Sequence, residues 1–217
     1  MALELELLSS GGLQLPNIDK GTHQGCIVDV IDLGRQALTE VVNGANQPKV
    51  KNGVQLFGAR VLIGVELVNE QFVMEATEDK PEKTIFRKLY REYSLSKADS
   101  ANLMKLLKEL KPNAKSVAEL AGLPCMVGVG ETSGGRNKIT SLIPLMKGMT
   151  PKEPGNPIIT FDFDKPVAEV VANLPEWITN NLKEAQNYEG SEVQKMLEEA
   201  ASSGDAAADS AAEGMLG

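Results

Sequence analysis

Apolar and polar residues alternate with a period of two in several short segments of the chain, which is the pattern of half-buried β-strands. The most regular segment spans residues 59–69, where Val61, Ile63, Val65 and Leu67 share one face. β-Branched residues are frequent in these segments, as they are in strands. The pattern predicts strands over residues 23–33, 59–69, 84–96, 125–129, 139–145 and 158–163.

The strands predicted at 125–129 and 139–145 form a hairpin around the glycine-rich loop 130–138. Gly134-Gly135 is typical of a tight connection because glycine adopts positive φ values. The loop resembles a phosphate-binding loop, but Arg136 and Asn137 replace its Lys and Ser/Thr, and a strand follows instead of a helix. Nucleotide hydrolysis is therefore disfavoured. Two alternatives stay open: a plain turn, or a turn whose Arg136 and Lys138 contact phosphate groups.

A helical period appears in three other parts of the chain. Residues 96–110 predict a helix with Ser96 as N-cap and Pro112 after its end, and residues 116–121 predict a shorter one. Residues 167–188 predict two helices separated at Pro175, followed by further helical turns over 191–200. Trp177 belongs to an apolar stripe there, and we interpret it as a packing anchor rather than a stacking platform. Residues 34–57 predict a long loop that contains a small hairpin.

The order of these elements predicts a mainly β fold: a five-stranded OB-fold, that is, a Greek-key barrel, with a helix between strands three and four. The turns between strands are too short for crossover helices, which disfavours a βαβ arrangement. The predicted organisation has an N-terminal arm (1–20), the OB-fold domain (21–148), a C-terminal strand and helix extension (149–200) and an acidic disordered tail (201–217). In an OB-fold of this sequence, the ligand loops are 34–57 and 130–138.

Charge is distributed unevenly along the chain, whose formal net charge is −8. Seven acidic residues and one lysine follow Tyr188, a net charge of −6, whereas residues 84–111 carry seven basic and three acidic residues, a net charge of +4. A nearly neutral body thus carries a basic stretch and an acidic tail. The negative total does not exclude a nucleic-acid partner.

Several other classes of function lack sequence support. No segment approaches the roughly 18 apolar residues of a membrane-spanning helix, and the N-terminus lacks the basic region of a signal peptide. Cys26 and Cys125 predict buried thiols in a reducing cytoplasm. With His23 they are too few for a closed zinc site, so we expect no metal and no cofactor. Asp162 and Asp164 could form a pair of acid–base carboxylates, but no nucleophile or histidine accompanies them in the sequence. We therefore expect no enzymatic activity.

Seven segments resemble phage-encoded single-stranded DNA-binding proteins with an OB-fold, a family of tailed phages. They are VIDLG (30–34), RVLIGVEL (60–67), YSLS (93–96), LAGLPCMVGV (120–129), KITSLIPLMKGM (138–149), NPIITFDFD (156–164) and NLPEWITNNL (173–182). The resemblance extends from Cys26 to Leu182 and depends on the order and spacing of the segments. It implies a non-catalytic protein of the host cytoplasm that binds single-stranded DNA without sequence preference during phage replication or recombination.

Such binding requires a cationic groove and aromatic rings that stack with bases. Strand 84–96 interleaves the two types, the neighbouring strand adds an arginine, and the glycine-rich loop adds two cations. The candidate DNA-binding residues are Arg60, Phe86, Arg87, Lys88, Tyr90, Arg91, Tyr93, Arg136 and Lys138. The alternative is a solvated strand face whose tyrosines fill the core, and the pattern leaves open which face each tyrosine occupies.

The acidic tail suggests partners other than DNA. A flexible acidic segment can cover a basic groove, compete with DNA, and bind phage or host replication or recombination proteins once it is displaced. A tail that only increases solubility is the alternative. The whole barrel also fits a non-catalytic protein-interaction or assembly module, and a homo-oligomer stays among the open arrangements.

Overall fold

The computed structural model describes residues 16–74, 83–96, 98 and 101–213 and shows a mainly β fold. In chain order the strands are β1 (Gly21–Ala37), β2 (Thr39–Val42), β3 (Ala45–Pro48), β4 (Val50–Lys51), β5 (Val54–Gln55), β6 (Phe57–Met74), β7 (Lys83–Ser94), β8 (Pro124–Glu131), β9 (Asn137–Pro144) and β10 (Ile159–Phe161). The α-helices are α1 (Asn102–Leu110), α2 (Ala168–Ala172), α3 (Glu176–Lys183) and α4 (Glu192–Glu213), and a 3-10 helix spans Val117–Leu120.

The main sheet has the strand order β7-β6-β1-β8-β9, with every neighbouring pair antiparallel. β8 pairs with the first part of β1, from Gly21 to Cys26. β10 then pairs in parallel with Asp29–Ile31 of the same strand. The long strand β1, whose pairing with β6 contains two register shifts, therefore holds together the predicted barrel region and the C-terminal region.

Both faces of the sheet are covered by apolar residues. One face and α1 form the inner core, which includes Ile63 of β6 and Leu103, Leu106 and Leu107 of α1. The opposite face, β10 and the helices α2–α4 form the outer core. Alternation along β6 explains the division, because Val61, Ile63, Val65 and Leu67 face the inner core and Leu62 the outer core.

The structure confirms the six predicted strands and the helix break at Pro175, which is the N-cap of α3. The predicted short helix is the 3-10 helix, where Ser116 and Glu119 form a capping box. The predicted N-cap at Ser96 is wrong, since α1 begins at Asn102 after Ala101. The Ser96 hydroxyl instead accepts a hydrogen bond from the Ala98 amide, which stabilises a local turn.

The predicted loop 34–57 contains two short hairpins, β2–β3 and β4–β5, which we call the paired hairpins. Each turns at an Asn-Gly pair, Asn43-Gly44 and Asn52-Gly53, and all four residues have positive φ. Two residues with positive φ are what a type I′ hairpin turn requires, and Asn-Gly is the favoured sequence for it. The sequence predicted one hairpin here and missed the other.

The C-terminal helix α4 is longer than the predicted helical turns over 191–200. It extends to Glu213 and so covers much of the segment that the sequence predicts to be disordered. Alanine is frequent in this part of the sequence, and it is the strongest helix former. Residues 214–217 of the predicted tail and residues 1–15 of the predicted arm lie outside the described part of the chain.

Candidate nucleic-acid interface

Strand β7 separates the two candidate tyrosines onto opposite faces of the sheet. Tyr93 is only 6% exposed and belongs to the inner core, beside Leu89. Tyr90 is half-buried and packs against the outer core. Side chains three positions apart in a strand point to opposite faces. Tyr93 therefore packs in the inner core, and Tyr90 lies on the opposite face of the sheet.

Arg91 connects two strands that are not neighbours in the sheet order. Its Nη1 donates a hydrogen bond to the carbonyl of Thr140 at 2.9 Å, and it lies 3.4 Å from the carbonyl of Ile139. The guanidinium carbon also lies 5.1 Å from the centre of the Tyr93 ring. Arg91 therefore holds β7 beside β9 across the open edges of the sheet.

A groove of about 560 Å³ lies where these two strands meet. Its lining residues are Tyr90, Arg91, Glu92, Lys138, Ile139 and Thr140. Three of the sequence-predicted residues, Tyr90, Arg91 and Lys138, thus come together at one place. Lys138 is exposed, so its ammonium group is accessible to an anion in the groove.

Arg60 lies on β6 beside this groove. Its Nε is 3.3 Å from Glu92 Oε1, and its Nη1 donates to the Ser94 hydroxyl at 2.8 Å. The Glu92 carboxylate therefore neutralises part of the Arg60 charge in the structure. A phosphate that binds here has to compete with Glu92 for the guanidinium group.

Beneath Tyr90, a buried carboxylate fixes the position of a cation. Asp29 is 1% exposed, and its Oδ2 accepts a hydrogen bond from Lys88 Nζ at 3.1 Å. Lys88 Nζ also lies 5.8 Å from the centre of the Tyr90 ring. Gly64 leaves the space for this arrangement, since a Cβ there would lie 2.5 Å from Asp29 Oδ2 and 2.6 Å from Tyr90 Cε1. Burial, and then the Asp29 carboxylate, raise the pKa of the Tyr90 phenol, so the ring stays neutral.

Phe86 is covered by the chain that follows β9. The fully buried Glu66 accepts hydrogen bonds from the Gly155 amide at 2.7 Å, and from the Asn156 amide and side chain at 2.8 and 2.7 Å. These bonds hold Gly155 directly against the Phe86 ring, where a Cβ would overlap the ring. In this structure Phe86 is therefore only partly exposed, and Gly155 occupies one side of its ring.

Arg87 lies away from the groove, at the N-terminal segment. Its Nη1 donates to the carbonyl of Pro16 at 2.5 Å, and it lines a separate cavity of about 160 Å³ with Glu70 and Phe72. Burial lowers the pKa of the Arg87 guanidinium, and Glu70 opposes this effect. The structure thus places Arg87 apart from Tyr90 and Lys138.

The glycine-rich loop between β8 and β9 is held by the N-terminal segment. The Asn137 side chain exchanges hydrogen bonds of 2.7 and 2.8 Å with the backbone of Ile18, and Asn17 Nδ2 donates to the Gly135 carbonyl at 2.7 Å. Of the predicted glycine pair, Gly135 alone has positive φ. Arg136 is exposed on this loop, so the predicted arm positions a loop that carries an exposed cation.

The sequence pattern indicates no role for Asp29 and Glu66 and predicts that Trp177 is a packing anchor. A signal for the two acids was present, because each interrupts an otherwise apolar strand, CIVDVIDL and RVLIGVEL. Buried carboxylates are costly unless they are paired, so such positions indicate a specific partner. The Trp177 ring lies 4.8 Å from the Tyr90 ring in an edge-to-face arrangement, a tertiary contact that no local pattern predicts.

Within the described ranges, no group of three or more His, Cys, Asp or Glu residues is placed to hold a metal ion, and none of the helices is long and apolar enough to cross a membrane. Cys26 and Cys125 are buried free thiols, and burial raises the pKa of both. Comparisons with protein-family models, curated proteins and solved structures find no match.

Proposed function

We propose that this protein binds single-stranded DNA without sequence preference, in the groove between β7 and β9. The observation that carries the proposal is the meeting of one aromatic ring, Tyr90, with the cations Arg91 and Lys138 in that groove. Proteins that bind single strands combine a cationic groove, which follows the backbone, with rings on which bases stack. The groove offers both in one place.

The topology supports an OB-fold barrel as the scaffold. Strands β1, β6, β7, β8 and β9 are the five long strands in chain order, and the sheet places the third and the fifth at its two edges. Arg91 connects those edges, and α1 lies between the third and fourth strands, as in an OB-fold. The two ligand loops of such a barrel are then the paired hairpins and the loop that carries Arg136.

Affinity would come from two kinds of contact. The cations of the groove and its surroundings supply charge to phosphates, and each phosphate that they neutralise releases counterions. These cations are Lys138, Arg91, Arg136 and Arg60. Tyr90 supplies a stacking surface worth about 1–3 kcal/mol per base. The first contribution depends on salt concentration, whereas the second has little dependence on it.

The experiment that tests this proposal is a titration of fluorescently labelled oligo-dT, followed by anisotropy, at several salt concentrations. We expect the logarithm of the binding constant to fall linearly with the logarithm of salt concentration, with a slope of about −0.7 for each phosphate contact. Absence of binding at low salt, or an affinity that salt leaves unchanged, would overturn the proposal.

One observation favours a second candidate, an assembly module. The paired hairpins expose several valines, and Val41 and Val54 are 71% and 65% exposed. Exposed apolar side chains indicate a protein contact where they form a contiguous patch. Sedimentation velocity over a range of protein concentrations, with and without Val41→Glu, separates the candidates. An assembly module self-associates in a Val41-dependent way without DNA, and a DNA-binding monomer does not.

The role in the cell follows from the same proposal. A non-catalytic protein of this kind coats single-stranded DNA during phage replication or recombination in the host cytoplasm. Two buried thiols suit that reducing compartment. The acidic segment after Tyr188 would contact the replication or recombination proteins that act on the coated strand.

A further inference from the structure

Helix α3 is attached to the sheet by residues other than its tryptophan. Ile178 and Leu182 are 1% and 0% exposed within the outer core, whereas Trp177 is 44% exposed. A tryptophan that serves mainly as a packing anchor buries most of its ring, because the ring carries a large apolar area. The stripe predicted from sequence therefore divides into two buried anchors and one ring that remains partly in solvent.

The exposed ring of Trp177 lies next to the groove. Its centre is 4.8 Å from the centre of the Tyr90 ring, and the two planes are inclined by 76°. Tyr90 in turn lines the groove with Arg91 and Lys138. An edge-to-face pair of this kind fixes the orientation of both rings. Trp177 thus continues the aromatic surface of the groove from β7 onto α3.

We infer that Trp177 is a second base-stacking residue of the site, supplied by the C-terminal region that covers the outer face of the sheet. The inference rests on the proposed function and deepens it: the ligand is the π-face of an unpaired base, adjacent to the base on Tyr90. The C-terminal region is then part of the binding surface and does more than cover the barrel.

The chemistry of stacking separates this role from that of the surrounding cations. Loss of a stacked ring lowers affinity at every salt concentration by the same factor, because no counterion is released. Loss of a phosphate contact also makes the salt slope shallower. Trp177→Ala should therefore change the affinity without changing the slope.

The sequence contains a single tryptophan, so its fluorescence reports on this position alone. In a titration of unlabelled oligo-dT we expect the Trp177 emission to be quenched, with saturation at the same ratio of DNA to protein as the anisotropy of labelled oligo-dT. Binding by anisotropy with unchanged Trp177 emission would overturn the inference and leave the proposed function standing. Absence of binding by anisotropy would overturn both.

Variants give an independent readout at this position. Trp177→Ala should weaken oligo-dT binding by about 5- to 150-fold, the equivalent of one stacked base, and Trp177→Phe should retain most of the affinity. Val167→Ala is the matched control, since Val167 is another exposed apolar residue of the same region, at 57%. Thermal unfolding establishes that each variant is folded at the titration temperature. Equal affinity of Trp177→Ala and wild type, or an equal loss for Val167→Ala, would contradict the inference.

Discussion

The two faces of the central sheet differ in what they bury. The inner core contains apolar side chains and the ring of Tyr93, and α1 covers it. The outer face carries an apolar cluster as well, but Asp29 and Glu66 are also buried on that side, at 1% and 0% exposure. Lys88 donates a hydrogen bond to Asp29, and the backbone amides of residues 155 and 156 donate hydrogen bonds to Glu66. The inner face contributes mainly to stability, whereas the buried carboxylates of the outer face also fix the positions of Lys88 and of the segment 155–156.

Tyr90 and Tyr93 show the same difference within one strand. Tyr93 is buried in the inner core, and Tyr90 lines a groove and contacts Trp177. Replacing one or the other therefore tests whether stability and binding divide between the faces. The two faces are independent if replacing Tyr93 lowers mainly stability and replacing Tyr90 weakens mainly DNA binding.

The largest effect is expected for Tyr93→Ala. Removal of a buried aromatic ring should lower the free energy of unfolding by about 3–5 kcal/mol, which urea denaturation measures. Tyr90→Ala should lower it less, since Tyr90 is half-buried, and should weaken oligo-dT binding by about 5- to 150-fold. The phenylalanine variants keep both rings and are the binding controls. They should bind oligo-dT like wild type, although Tyr90→Phe should also lower the free energy of unfolding because it removes the hydroxyl that hydrogen-bonds the buried Asp29 carboxylate. Wild-type affinity of folded Tyr90→Ala would remove Tyr90 from the site.

A slightly smaller effect tests whether the two cores form one cooperative unit. Ile63 of the inner core and Leu182 of the outer core are both fully buried. Ile63→Ala and Leu182→Ala should therefore each lower the free energy of unfolding by about 2–5 kcal/mol. β1 and β6 contribute to both cores, and we therefore expect a single transition in urea. Circular dichroism and Trp177 fluorescence should follow the same curve.

Separate transitions by the two probes would show that the C-terminal region unfolds on its own. Val167→Ala is again the surface control, and it should change the free energy of unfolding by no more than about 0.5 kcal/mol.

The smallest effect concerns single charges at the rim of the groove. Lys138→Gln should make the salt slope of oligo-dT binding shallower by about 0.7, because one phosphate contact is lost. Lys105→Gln is the matched control, since Lys105 is exposed on α1 and outside the groove lining. Anisotropy titrations at several salt concentrations measure both slopes. An unchanged slope for Lys138→Gln, or equal changes for both variants, would place the DNA elsewhere.

The local elements of the fold follow from the sequence, but the covering of the outer face does not. Alternation in 59–69 predicts a strand and its faces, and Pro175 predicts the helix break, because these signals are local. Alternation cannot show which face another part of the chain covers. Phe86 and Lys88 therefore looked exposed from the sequence, although Glu66 fixes the segment over Phe86 and Asp29 binds Lys88.

The candidate site was predicted in part for the same reason. Tyr90, Arg91 and Lys138 come together because β7 and β9 meet at the edges of the sheet, which a five-stranded barrel predicts. Trp177 joins them through a contact between regions distant in sequence. Helical spacing predicts that Trp177 is a packing anchor. Spacing alone does not distinguish the buried Ile178 and Leu182 from the partly exposed Trp177 of the same helix.

The central claim is that DNA binds in the groove between β7 and β9, beside Tyr90 and Trp177, and cross-linking tests it most directly. Irradiation of the complex with oligo-dT, followed by mass spectrometry of the peptides, identifies the residues in contact with bases. We predict cross-links at Tyr90 in β7 and at Trp177 in α3. Cross-links confined to the paired hairpins, with none in β7 or α3, would contradict the claim.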